Sequence, residues 1–322
     1  MTMLNIENLG VSFWSRNRQV RVLKDVSFSI SKGEIVGVLG ESGSGKSVTA
    51  AAIMGLIEQP PGRIEAGRIL FNGVDVLALP REAHRALCGK RLAMIFQDAL
   101  AALNPVQPVG EQIAELFVIH GLADLPTARA RATDLLKQVG IADPAVRGRA
   151  YPHQFSGGMR QRVMIAMAIA LHPDLIIADE PTTALDVTVQ AQIVSLLRSI
   201  RDTSGSAIML ITHDLGVVAE CADRAVVMYA GTVVEDAPIS SLFDAPAHPY
   251  TRGLLASRPR IGAETLTLEP IPGTPPDPAY PPTGCAFHPR CSLVGDLCRT
   301  TAPALRDFGI GRVACHHAGR TP

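Results

Sequence analysis

The sequence lacks net charge, because thirty basic and thirty acidic side chains cancel across its 322 residues. That balance offers no general attraction to nucleic acid or to anionic lipid, and no nucleic-acid partner is expected. Long hydrophobic runs are missing as well. The longest, Val163 to Leu171, is far short of the roughly 20 residues a spanning helix needs. The opening residues, MTMLNIENLG, hold no basic stretch followed by an apolar run and so do not read as a secretory signal. A cytosolic chain is expected, with any membrane association supplied by partners. There is no internal repeat either. What is present is a 47% hydrophobic composition, enough at this length for one large globular domain or one domain plus an appendage.

Short β-rich runs (Leu4 to Ile6, Val22 to Ile30, Glu34 to Leu39) are separated by polar or glycine turns. Ile35 to Leu39 is nearly all apolar, the pattern of a strand buried on both faces. A glycine-rich turn and a helical stretch from Lys46 to Ile57 follow, and residues 110 to 140 read mainly as helix, a helical insertion. From Gln161 the order is helix, strand (Leu175 to Ala178), helix (Val187 to Thr203), strand (Ala207 to Thr212) and short strands to about Val234. Alternation of this kind predicts an α/β fold with a parallel sheet covered on both faces. Residues 270–282 then hold seven prolines in thirteen positions, which excludes helix and central strand and predicts a semi-rigid linker.

Gly40-Glu-Ser42-Gly43-Ser-Gly45-Lys46-Ser47 fits GxxxxGKS directly after the predicted buried strand and directly before a helix. Glycines let consecutive backbone N–H groups converge on phosphate oxygens, and the helix directs its positive dipole end at the same anion. Lys46 is expected to neutralise β- and γ-phosphates, and the Ser47 hydroxyl to ligate Mg2+. A second element, LIIADE at 175–180, delivers two carboxylates to the C-terminal end of a strand, where open α/β sheets bind ligands. Asp179 is expected to hold Mg2+ through water and Glu180 to act as general base toward the attacking water. Taken alone, such an Asp-Glu pair also reads as a helix-capping turn; beside a phosphate loop the catalytic reading prevails.

Between these elements lies Phe155-Ser156-Gly157-Gly158-Met159-Arg160-Gln161, and here the chain resembles an ATP-binding cassette (ABC) ATPase. The segment is a variant of that family's LSGGQ signature, with Phe155 at the Leu position and Met159 at the Gln position. The resemblance implies an ABC-type P-loop fold with a β-rich N-terminal subdomain, and further roles follow from it. Gln97, in MIFQD, resembles the Q-loop glutamine that senses Mg2+ and the γ-phosphate. Ala184-Leu185-Asp186 resembles the D-loop and His213, in ITHD, the switch histidine. Phe13 falls where the family places an aromatic against adenine, with Trp14 an adjacent competitor and a core-packed strand residue the alternative. The resemblance also implies that Ser156, Gly157 and Gly158 complete the phosphate site of a second cassette paired head to tail.

It covers roughly residues 1–235, with the helical subdomain at about 100–165. Residues 236–283 follow as a linker extension and 284–322 as a cysteine-bearing C-terminal region expected to be a small metal-binding unit. Ala247-His248-Pro249-Tyr250-Thr251-Arg252 and the stretch from Gly284 to His316 resemble the C-terminal extension of dipeptide and oligopeptide importer ATPases, which nickel and glutathione importer ATPases share in large part. This implies an importer motor at the cytoplasmic face of the inner or plasma membrane. Its implied partners are two transmembrane permease subunits, a second related ATPase subunit and an extracytoplasmic solute-binding protein; the rival class is a soluble, non-transport cassette ATPase. Cys285, Cys291, Cys298 and Cys315, separated by five, six and sixteen residues, sit in a segment with little apolar content for a core, and small units of that kind usually need a staple. Four thiolates bind zinc or an iron-sulfur cluster. The intervals lack CxxC pairs, which favours iron-sulfur, and the resemblance points to 4Fe-4S; zinc and no metal stay open. His288, His316 and His317 are alternatives to one thiolate. Any such site is expected to be separated from the ATP chemistry by the proline linker.

Overall fold

The computed structural model describes residues 1–15, 18–183, 185–257 and 270–320. Its strands in chain order are β1 (Thr2–Ser15), β2 (Arg18–Ser31), β3 (Ile35–Leu39), β4 (Gly62–Phe71), β5 (Val74–Asp75), β6 (Leu92–Ile95), β7 (Leu175–Asp179), β8 (Ala207–Ile211), β9 (Arg224–Tyr229), β10 (Thr232–Pro238), β11 (Arg306–Phe308) and β12 (Gly311–Val313). The chain divides into two compact units, each assembled from separated stretches. One holds Met1, Ile30–Ile35 and Ala78–Thr212; the other holds Thr2–Ser29, Val36–Leu77 and His213–Pro322.

In the first unit β6, β7 and β8 run parallel, with Leu92 opposite Leu175 and Leu175 opposite Ala207. Every residue of β7 and β8 is buried, as expected for strands covered on both faces. The helical insertion is present as Val109–Ile119 and Leu125–Gln138. The latter buries Ala128, Ala132, Leu135 and Leu136, the spacing of one helical face, and Asp124 caps it by accepting from the Thr127 N–H. Helix Val187–Ser204 buries Ile193, Val194, Leu197 and Ile200 and ends at Gly205, whose φ of 69° provides the left-handed cap.

In the second unit the strand order is β5-β4-β1-β2-β10-β9-β3. β1 and β4 are antiparallel, β3 and β9 parallel, and β12 extends the sheet by pairing with β10, Asp236 opposite Arg312. β4 was not legible in the sequence: it carries charged side chains and interrupts its own pattern at Gly67. The helix expected over Lys46 to Ile57 stops at Ile53, because Gly55 turns left-handed at φ 67°.

The core of this unit brings Leu39 at the end of β3 together with Val227, Tyr229, Tyr250 and Phe287. Here the expectation of a separate, core-poor tail is corrected. Phe287 is 3% exposed and stands edge-on to Tyr229 at 5.2 Å and tilted against Tyr250 at 5.4 Å. Aromatic contacts of this kind add about 0.5–1.5 kcal/mol each beyond area burial.

Candidate nucleotide site

The phosphate loop leaves β3 in the second unit, and its shape depends on absent side chains. Gly40 has φ 149° and Gly45 φ 104°; a Cβ on the first would lie 2.3 Å from the Met228 carbonyl oxygen, on the second 2.4 Å from Leu23 Cδ2. Lys46 is buried and its Nζ donates to the carbonyls of Gly40 (2.8 Å) and Glu41 (3.0 Å), folding the loop around the ammonium. Ser42, Gly43 and Ser47 are exposed. No side chain caps the helix that opens at Lys46, so its first N–H groups and the dipole's positive end suit an anion. The Ser44 hydroxyl is buried without a protein partner, a donor of the kind a phosphate oxygen satisfies. His213, also in this unit, is exposed, and Asp214 beside it caps helix Leu215–Cys221 by accepting from the Gly216 N–H at 2.7 Å.

The carboxylates stand in the first unit. Asp179, 6% exposed, ends β7. Glu180 follows with φ 47°, a left-handed conformation unusual for glutamate and costing about 1–3 kcal/mol. Its N–H donates to the Ile211 carbonyl at 2.8 Å, which pins the turn. The Glu180 carboxylate accepts from Gln97 Nε2 at 3.0 Å and from the Thr183 hydroxyl at 2.8 Å. Two residues predicted from separate motifs therefore meet, and Thr183, which the sequence did not single out, steadies one of them.

Ser156 caps helix Gly157–Ile169, its hydroxyl accepting from the Met159 N–H at 3.3 Å. A Cβ on Gly158 would lie 2.6 Å from Val189 Cγ1, so this glycine permits the helix that follows the D-loop segment to approach. Asp186 caps that helix through the Val189 N–H at 2.9 Å. Its carboxylate thus has a structural task besides the expected one. Ala184 of the same motif lies outside the described residues. Phe13 is half-buried on β1 opposite Gly62, whose missing side chain leaves room for the ring, whereas Trp14 is 50% exposed.

The profile of the family described as "ABC transporter" matches residues 23–183, and that of "Oligopeptide/dipeptide transporter, C-terminal region" matches residues 234–298. The chain is 49% identical over 318 residues to the dipeptide transport ATP-binding protein DppD of Escherichia coli K12, covering 98% of this chain and 97% of that one. The chain belongs to the oligopeptide and dipeptide ABC transporter ATPase family. It is likewise 50% identical over 293 residues to the oligopeptide transport ATP-binding protein OppD of Bacillus subtilis 168, covering 90% of this chain and 81% of OppD. Among solved structures, the dimeric bacterial ABC transporter cassette MJ0796 superposes with a TM-score of 0.67 at 27% identity, over 74% of this chain and 99% of that one. As a member of that family the protein is an ATP-hydrolysing ABC transporter subunit, and none of its described helices is long and apolar enough to cross a membrane.

The metal site expected in the C-terminal region of this ABC ATPase is not met. Among the described residues no three His, Cys, Asp or Glu side chains gather in an arrangement that holds a metal ion. Cys285, Cys291, Cys298 and Cys315 are all free thiols. Burial pushes the Cys285 thiol up to about 11 and raises Cys291 and Cys315 as well, and neighbouring cysteines of the four add to each shift. The sulfurs of Cys291 and Cys315 accept N–H groups from Leu293 and His317. His288 and His316 meet the backbone carbonyls of Cys285 and Thr301. Packing and backbone hydrogen bonds hold the region. Nothing among the described residues therefore supports a 4Fe-4S cluster or a zinc ion here.

Nor is the extension remote from the phosphate loop. Arg290, buried, forks onto the Glu41 carboxylate with contacts of 2.7 and 3.0 Å, and the Tyr250 hydroxyl accepts from the Glu41 N–H at 2.8 Å.

Proposed function

We propose that this subunit is the ATP-driven motor of an importer for dipeptides or oligopeptides. It works at the cytoplasmic face of the membrane with two permease subunits, a second related ATPase chain and an extracytoplasmic solute-binding protein. The observation that carries the peptide assignment is the reach of the family relationship, which runs through the C-terminal extension as well as the cassette.

The residues support a division of labour within the ATPase. Gly40, Ser42, Gly43, Gly45 and Lys46 bind the β- and γ-phosphates, and Phe13 lies against the adenine. Glu180 takes the proton of the attacking water, oriented by Gln97 and Thr183. His213 contacts the γ-phosphate, and Ser156, Gly157, Gly158 and Asp186 serve the nucleotide of the paired cassette. Ser47, Gln97 and Asp179 each offer a side-chain oxygen, the donor chemistry Mg2+ takes, and these residues would hold that ion, which would neutralise charge on the phosphate oxygens. ATP binding closes the paired cassettes and hydrolysis reopens them, a motion the Gln97 to Gly110 segment passes to the permease.

The test is reconstitution of the chain with its permeases, companion ATPase and binding protein in vesicles. Di- or oligopeptide should raise ATPase activity and accumulate with ATP. Stimulation by nickel or glutathione instead would replace the solute, and no stimulation by permeases would remove the importer role.

A further inference from the structure

Glu41 is the second residue of the phosphate loop, and each of its polar groups is held within the second unit. Its carbonyl accepts from Lys46 Nζ at 3.0 Å. The N–H donates to the Tyr250 hydroxyl at 2.8 Å, and the carboxylate takes both arms of the Arg290 guanidinium at 2.7 and 3.0 Å. Arg290 is itself fixed: Nε donates to the Pro272 carbonyl at 2.9 Å and Nη1 to the Tyr229 hydroxyl at 3.3 Å. Its guanidinium lies 5.9 Å from the Tyr229 ring centre. The Glu41 carbonyl also accepts from the Ser44 N–H at 3.2 Å, so two of the four residues that hold Glu41, Tyr250 and Arg290, come from the C-terminal extension.

A carboxylate one residue after Gly40 has an electrostatic consequence. Uncompensated, it repels the polyphosphate that the loop's N–H groups attract, and it is free to draw Lys46 away. A bidentate guanidinium cancels that charge and fixes the backbone at the same time.

We propose that Arg290, assisted by Tyr250, is a positioning residue for the phosphate loop, so that the affinity for the nucleotide's polyphosphate is set in part by the C-terminal extension. The inference rests on the nucleotide-binding role of residues 40–47. Arg290 touches no reacting atom; it acts through Glu41. Its loss affects binding of the phosphates and leaves Glu180 in place, so the KM for ATP rises while kcat at saturating ATP is kept.

The experiment is calorimetric titration of the full chain with MgATP, together with a thermal unfolding curve for every variant. Arg290→Met is expected to weaken binding about tenfold, the scale of one charge-assisted pair. Arg290→Lys, keeping charge but losing the fork, falls in between. In the Arg290→Met background, Glu41→Gln restores most of the affinity by removing the repelling carboxylate. A purely structural Arg290 predicts no such rescue. Wild-type affinity in Arg290→Met, or weakened binding that Glu41→Gln leaves uncorrected, overturns the proposal. If Arg290→Met does not fold, Arg290→Lys decides: undiminished affinity at an unchanged melting temperature overturns it, and about threefold or greater weakening supports it. Failure of the unsubstituted chain to bind MgATP is a separate result, which removes the nucleotide reading itself.

Discussion

Glu180 combines three features at one residue: a left-handed backbone, an N–H tied to the Ile211 carbonyl, and a carboxylate held by Gln97 and Thr183. A backbone conformation that costs energy persists where surrounding contacts enforce it, and here it directs the carboxylate toward Gln97. The substitution Glu180→Gln keeps the side chain's size and removes the base. MgATP affinity is expected to stay within about threefold while steady-state hydrolysis falls by about 10²–10⁴, the usual contribution of general-base catalysis. Single-turnover hydrolysis and equilibrium binding on the same preparation check this, and unchanged turnover would take Glu180 out of the base role.

Helix Pro249–Ala256 shows how an element is secured by a buried residue that titrates. His248 is 1% exposed and caps the helix, its Nδ1 accepting from the Tyr250 N–H at 3.0 Å. Burial pushes its pKa down to about 3, against a smaller opposing effect of the hydrogen bond to the Ala314 backbone. The neutral ring is the folded form, so the unfolded chain binds the extra proton below about 6.5 and stability is lost as pH falls from there toward 3. The slope from this group is about 1.4 kcal/mol per pH unit. Glu235, which accepts from the Ala247 and His248 N–H groups and is raised mainly by burial, works in the opposite direction as it protonates. His248→Asn keeps a capping acceptor without the titration. Between pH 6.5 and 4.5 the wild type should lose stability relative to this variant in urea unfolding, and parallel curves would contradict the assignment.

Across the molecule, the C-terminal extension behaves as part of the unit that carries the phosphate loop. Asp236 on β10 pairs with Arg224 and Arg312, β12 extends the sheet, and Phe287 fills the space between Tyr229 and Tyr250. Removing residues 270–322 uncovers that aromatic cluster and leaves Glu41 without its counter-charge. Such a truncated chain is expected to melt lower by about 10 °C or more, since each lost kcal/mol is worth about 2–4 °C at this size. A calorimetric scan reads the shift; an unchanged melting temperature would mean that the extension is a dispensable appendage.

The sequence by itself determined the chemistry that contiguous residues carry. Phosphate binding needs consecutive backbone N–H groups, and the glycines and lysine of residues 40–47 carry that expectation locally. Strands β3, β7 and β8 declare themselves by short apolar runs, whereas the contact of Gln97 with Glu180, singled out in separate motifs, is a finding of the tertiary structure. Only the tertiary structure decided the rest. Arg290 and Tyr250 reach Glu41 across 249 and 209 residues, a relation that neither periodicity nor spacing encodes. The four cysteines are spread over residues 285–315, and packing buries Cys298 and Cys315 while the Cys291 and Cys315 sulfurs accept backbone N–H groups. Local pattern fixes what a segment can bind; the direction each side chain faces is set by the core it is packed against.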